Sequence, residues 1–263
     1  MFLIRFFDYY PRDIESVLNV TLTSVHRMFM LFMIVLGSTL VLVFNKKIKN
    51  WKYEDTVLKI MGTILILNVI GYYVWEGFHG QLRGIESLPL TFCPITAITL
   101  GVTLLTKKYW FFPYIFYMGL FGGLMASVFP DDLHAGPFFY RFHHFYIQHT
   151  WIIIIPIYLT KAYGLLPSFK ETLRGFLITC ILGLIGLTVN YLTNWVTYYM
   201  LLNPYLPPSD TPLETIAIAT NQSAILYTLS AGVIVFIIFM FIYSIPRLFI
   251  LASSAIKPKP QVA

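Results

Sequence analysis

The chain alternates long apolar runs with short polar connections and shows no sustained period-two patterning. Seven runs are long enough to cross a bilayer as helices of roughly 20 residues. They cover about 25–45, 57–76, 88–106, 109–129, 142–160, 173–201 and 222–250. The fourth carries Gly119, Gly122 and Gly123, and the sixth is long enough to tilt or protrude. Continuous apolar runs exclude an outer-membrane barrel, whose strands alternate. No internal repeat or Ser/Gly-rich linker divides the chain. The expected fold is all-α: one polytopic bundle domain over residues 1–263 with about seven transmembrane helices.

Composition agrees. Hydrophobic residues make up 57% of the 263 positions and charged residues 11%, against about 25% charged in soluble domains. Mean hydropathy is +0.72. Arg5, Asp8, Arg12, Asp13 and Glu15 precede the first long apolar run, the reverse of a signal peptide's order. The net charge of +6 suggests nucleic acid at first sight, but its distribution along a membrane chain gives it another meaning. Thirteen of the 18 Lys and Arg fall on one side of a seven-span model. These are Lys46, Lys47, Lys49, Lys52, Lys59, Lys107, Lys108, Lys161, Lys170, Arg174, Arg247, Lys257 and Lys259, with Glu54, Asp55 and Glu171 as the acids there. Positive loops stay cytoplasmic, so the N-terminus is expected outside and the C-terminus inside. A bacterial plasma membrane is the expected location, with no nucleic-acid partner.

Depth then sorts the polar residues. His26 opens the first span, Glu76 and His79 close the second, and Glu86 precedes the third. Asp131, Asp132 and His134 belong to the outer loop VFPDDLHAGP, and Asn190 and Asn194 to the outward half of the sixth span, on one helical face. All six histidines map to the outer half. His79, His134, His143 and His144 suit the headgroup layer. His149, about seven residues into the fifth span, lies roughly 10 Å deep at 1.5 Å per residue. A polar residue at that depth either serves a site or bonds between helices.

Metal binding is disfavoured. His143 and His144 stand six and five residues from His149, whereas a shared helical face needs three or four. No HExxH or paired-Cys spacing occurs, and no cofactor is expected. Cys93 and Cys180 fall at different depths, too far apart for a disulfide. Cys180 reads as packing. Cys93, about five residues into the third span between Pro89 and Pro94, is expected beside a proline bend that frees the Leu90 carbonyl. With His149 at similar depth it forms half of a nucleophile and base pair, chemistry suited to acyl transfer. Asn190 or Asn194 would orient the imidazole or hold an oxyanion.

Four segments carry a family resemblance: LPLTFC (88–93), YMGLFGGLMASVFPDDL (117–133), FHHFYIQHTWIIIIPIYL (142–159) and VNYLTNWVTYYMLLNPYLPPSDTPLE (189–214). In these the chain resembles the YwaF-like bacterial membrane proteins, which are related to the eukaryotic transmembrane protein 164 acyltransferases. The resemblance implies seven spans and, from the eukaryotic branch, transfer of a fatty acyl chain between glycerolipids, with Cys93 and His149 at the cysteine and histidine positions. There are departures. Tyr198 replaces the family's Asn in WVTYYM (195–200), and IATNQSAILY (218–227) replaces a Trp- and Pro-rich start to the last span.

The leading expectation is an acyltransferase acting on a lipid or lipid-linked acceptor at the outer leaflet. Cys93 would be acylated and His149 would move protons, with Asn190, Asn194, His26, Glu76 and Asp131 in support. Membrane lipids would be acyl donor and acceptor, and the oligomeric state stays open. The loop NPYLPPSDTP (203–212) is a candidate lid. The alternative is a lipid or small-molecule transporter or binding protein without covalent chemistry, since buried polar groups and a bent span serve transport equally. A structural or assembly role is the third reading.

Overall fold

The computed structural model describes residues 6–7, 17–82, 84–129, 139–197, 199–206 and 212–255. Among these, all regular structure is helical. The helices are α1 (Val17–Val43), α2 (Asn45–Lys49), α3 (Glu54–Phe78), α4 (Phe92–Thr106), α5 (Phe112–Val128), α6 (Tyr140–Tyr163), α7 (Phe169–Leu192), α8 (Pro212–Ala219) and α9 (Ala224–Ala255). Single 3₁₀ turns lie at Gly84–Ser87, Tyr109–Phe111 and Tyr199–Leu201.

Local chemistry sets several boundaries. Ser168 opens α7 through a capping box, its hydroxyl accepting from the Glu171 N–H while the Glu171 carboxylate accepts from the Ser168 N–H, which satisfies two end donors reciprocally. Gly164 closes α6 in the left-handed conformation at φ 69°, a geometry glycine adopts without strain. Lys107 ends α4 in the same region and pairs with Asp55 at 2.6 Å, tying the end of α4 to the start of α3.

Helices α5 and α6 form the centre. Their buried residues include Tyr114, Ile115, Tyr117, Met118, Ile152 and Leu159. The surrounding helices expose their apolar sides instead: Met28 and Val35 on α1, Leu67 on α3, Leu184 on α7, and Leu229 and Ile237 on α9. In water such a surface would be a liability; in lipid it is the solvated face. Among the described residues, five segments are long and apolar enough to cross a membrane: Val25–Val43, Glu54–Phe78, Tyr109–Val128, Phe169–Leu192 and Ala224–Arg247.

The other two expected spans correspond to α4 and α6. Helix α4 has 15 residues, about 22 Å at 1.5 Å per residue. Helix α6 has 24 residues, but Arg141, His143, His144, Gln148 and His149 dilute its apolar character; its ring of neighbours shields it. The sixth expected span, 173–201, is shorter than anticipated because α7 ends at Leu192 and the chain then turns through left-handed Asn194, Trp195, Met200 and Leu201.

Candidate functional site

Helix α5 carries glycines where its neighbours approach most closely. A Cβ on Gly119 would run far inside contact with the Ile152 carbonyl oxygen, and one on Gly123 would meet Ile153 Cγ1 at 2.7 Å and the His149 carbonyl oxygen at 3.2 Å. A Cβ on Gly122 would stand 3.7 Å from Cys93 Sγ. The Cys93 thiol, from α4, and the His149 backbone carbonyl, from α6, therefore lie against adjacent residues of α5.

Cys93 is a free thiol, partly buried. It occupies the first turn of α4, because Thr91 is the extended residue before that helix. The expected bend at Pro94 does not occur: Pro94 also falls in the first turn, where its missing N–H has no intrahelical bond to break. Beneath this turn lies Tyr114 of α5, 1% exposed. It accepts from the Thr96 hydroxyl at 3.1 Å and donates to the Phe92 carbonyl at 3.5 Å. Sequence reasoning missed both Tyr114 and Thr96, since one tyrosine among 18 carries no signal of its own.

His149 is 6% exposed, and its ring lies against Phe145 at 4.1 Å. Its Nδ1 is 2.8 Å from the Phe145 carbonyl oxygen. A carbonyl only accepts, so the proton sits on Nδ1 and Nε2 carries the lone pair in the neutral ring. Residues 145, 149, 152 and 153 share a face by helical spacing, and Ile152 and Ile153 meet α5. The next residue back, Gln148, is 2% exposed with its Oε1 buried and lacking a hydrogen-bond partner.

The remaining expected site residues divide. His26 reaches α6: its carbonyl accepts from the Tyr146 hydroxyl, its ring packs edge-on against Phe142 at 4.9 Å, and its buried Nδ1 has no partner. Glu76 is half-buried in the last turn of α3, and Tyr73 lies within electrostatic range of both Glu76 and Tyr199. Asp131, Asp132, His134, Tyr198 and residues 207–211 of the expected lid lie outside the described residues.

Asn190 and Asn194 do not share a helical face. Asn194 follows the end of α7 in a left-handed turn and is exposed. Asn190 is fully buried, and its amide is committed to the returning chain: Oδ1 accepts from the Tyr199 N–H at 2.8 Å and the Thr197 hydroxyl at 2.9 Å, and Nδ2 donates to the Tyr199 carbonyl at 3.0 Å. Tyr199 in turn accepts from the Leu88 N–H at 2.8 Å and donates to the Ile85 carbonyl. Asn190 thus clamps the segment that fixes the approach to α4 and Cys93.

His144 also departs from expectation. It is buried, stacked on Tyr72 at 4.2 Å, and its Nδ1 and carbonyl both bond Asn68 of α3 at 3.1 Å. It locks two helices together instead of facing headgroups. Among the described residues, no three His, Cys, Asp or Glu side chains converge as a metal site.

The sequence model of the TMEM164 family matches residues 21–243 of this chain. No curated protein and no solved structure matches it.

Proposed function

The chain belongs to the TMEM164 family, and from that membership we propose that it is a membrane-embedded acyltransferase that moves a fatty acyl group onto a lipid or lipid-linked acceptor. The observation that carries this reading is that the Cys93 thiol and the backbone of His149 pack against the adjacent Gly122 and Gly123 of α5. Seven crossings, with the thiol toward the extracytoplasmic side of a bacterial plasma membrane, complete the reading; the lysine-rich opposite end supports it.

In the first step the Cys93 proton passes to His149 Nε2, and the sulfur attacks the ester carbonyl carbon of a donor lipid. The S–C bond forms, the C–O bond breaks, and the departing alkoxide takes the proton from the imidazolium. In the second step an acceptor hydroxyl gives its proton to Nε2 while its oxygen attacks the thioester carbonyl; the C–O bond forms, the C–S bond breaks, and the departing thiolate takes the proton back from the imidazolium. The N–H groups of Phe92 and Cys93 belong to the helix-start donors of α4 without an intrahelical partner. Such donors suit a tetrahedral oxyanion. The orphaned Gln148 Oε1 and His26 Nδ1 are groups that a glycerolipid's polar region would satisfy.

The test uses purified protein and a phospholipid with an alkyne-tagged acyl chain. A hydroxylamine-sensitive adduct is expected on the Cys93 peptide by mass spectrometry, absent from Cys93→Ala and formed more slowly in His149→Gln. Wild-type transfer by Cys93→Ala would sink the nucleophile assignment, and saturable lipid binding without an adduct would make the protein a binder.

A further inference from the structure

The end of the bundle opposite Cys93 holds a second feature. A partly open apolar cleft of about 100 Å³ is lined by Val41, Ile48, Trp51, Val57, Met61 and Ile154, among others. Glu54 reaches this cleft, yet its carboxylate oxygens are held by the Tyr158 hydroxyl at 2.7 Å and the Tyr163 hydroxyl at 2.7 and 2.9 Å. The open surface inside is apolar.

The rim has the opposite character. Ile48 and Trp51 line the cleft, while Lys46, Lys47 and Lys52 stand exposed in the same short stretch. Helix α2 buries none of its residues. The acids nearby do not neutralise these lysines. Asp55 is taken by Lys59 at 2.9 Å and Lys107 at 2.6 Å, and Glu54 by its tyrosines. Lys47 and Lys52 lie over the rings of Phe44 and Tyr53 at 5.8 and 4.6 Å, neutral partners that leave their charges uncancelled. A uniformly apolar trough under uncompensated ammonium groups complements one kind of molecule: an alkyl chain carrying an anionic head.

We propose that this cleft is a binding site for an anionic phospholipid, with part of one acyl chain seated between α1, α3 and α6 and its phosphate at Lys46, Lys47 and Lys52. The site lies at the other end of the bundle from the thiol and does not depend on acyl transfer. Lysines beside a membrane attract anionic headgroups, and the cleft turns that diffuse attraction into a located one.

Trp51 supplies the readout. Full-length protein in phosphatidylcholine nanodiscs receives phosphatidylglycerol or phosphatidylcholine brominated along the acyl chain, and Trp51 quenching is taken as wild type minus Trp51→Phe. Brominated phosphatidylglycerol is expected to quench at a mole fraction at least about tenfold lower, since each lysine at an anionic surface is worth roughly fivefold. The triple change Lys46→Gln, Lys47→Gln, Lys52→Gln, all at exposed positions, is expected to bring the two curves together. Val57→Phe is expected to fill the cleft and remove quenching by either lipid. Coincident curves in the wild type, or a preference that survives the triple change, overturn the headgroup assignment. Unchanged quenching in Val57→Phe overturns the chain's placement.

Discussion

At the scale of single residues, two asparagines of similar sequence context behave differently. Asn190 has both ends of its amide engaged by Thr197 and Tyr199, whereas Asn194 is exposed beyond the helix end. Truncation at Asn190 leaves the Tyr199 N–H and carbonyl buried without their partner, and each such group costs about 1–3 kcal/mol. Asn190→Ala is therefore expected to lose roughly 2–4 kcal/mol in thermal or denaturant unfolding, and Asn194→Ala to stay within about 0.5 kcal/mol. Equal effects at the two positions would refute the clamp. Tyr199→Phe removes only the hydroxyl that bridges Leu88 and Ile85, so it is expected to destabilise by about 1 kcal/mol while raising the rate at which maleimide reaches Cys93. Depth alone exposed His149 and Cys93 to sequence reasoning, because a polar or nucleophilic side chain inside an apolar run stands out. Asn190 stood out too, but its partners come from a turn hidden in the apolar string YLTNWVTYYML, so its clamping role was not legible.

At the scale of elements, Gly119 and Gly123 of α5 are what make a close-packed core from helices that expose apolar sides outward. In lipid, helix association rests on packing, and small residues permit backbones to approach. Gly119 faces backbone, the Ile152 carbonyl, whereas Gly122 faces only the Cys93 sulfur at ordinary contact distance. Gly119→Ala must push α5 and α6 apart and is expected to cost about 1–3 kcal/mol, the range of overpacked interiors. Gly122→Ala is expected to unfold near the wild-type temperature. A cost at Gly122 matching that at Gly119 would refute this division. In the sequence these glycines only dilute the fourth apolar run, since a run is judged by its own apolarity and a glycine's value depends on the neighbour it admits. The boundary of α4 was misplaced for a related reason. LPLTFCP is apolar enough to continue a span, yet Thr91 is extended and Tyr199 pins Leu88 from elsewhere in the chain, a contact that sequence patterning does not carry.

At the scale of the whole molecule, the number of crossings turns on α4 and α6. Among the described residues five segments qualify by length and apolarity, and the seven-span reading requires α4 and α6 as well. Helix α4 falls short of a core about 30 Å thick, but the irregular segment 84–91 continues from it, and irregular backbone is tolerated at depth where protein covers it. Helix α6 is long enough, and its polar residues are buried by neighbours. Three exposed positions separate the possibilities: Leu82 before α4, Lys108 after it, and Tyr205 beyond α7. In a background carrying Cys93→Ser and Cys180→Ser, Leu82→Cys and Tyr205→Cys are expected to react with a membrane-impermeant maleimide in intact cells, and Lys108→Cys only after permeabilisation. Between 108 and 205 lie α5, α6 and α7, so opposite labelling means that all three cross. Matching labels at 108 and 205 would remove α6 from the count, and matching labels at 82 and 108 would remove α4. Reversed labelling throughout would keep the crossings and invert the molecule, which would put Cys93 on the cytoplasmic side and move the proposed acyl transfer to the other leaflet.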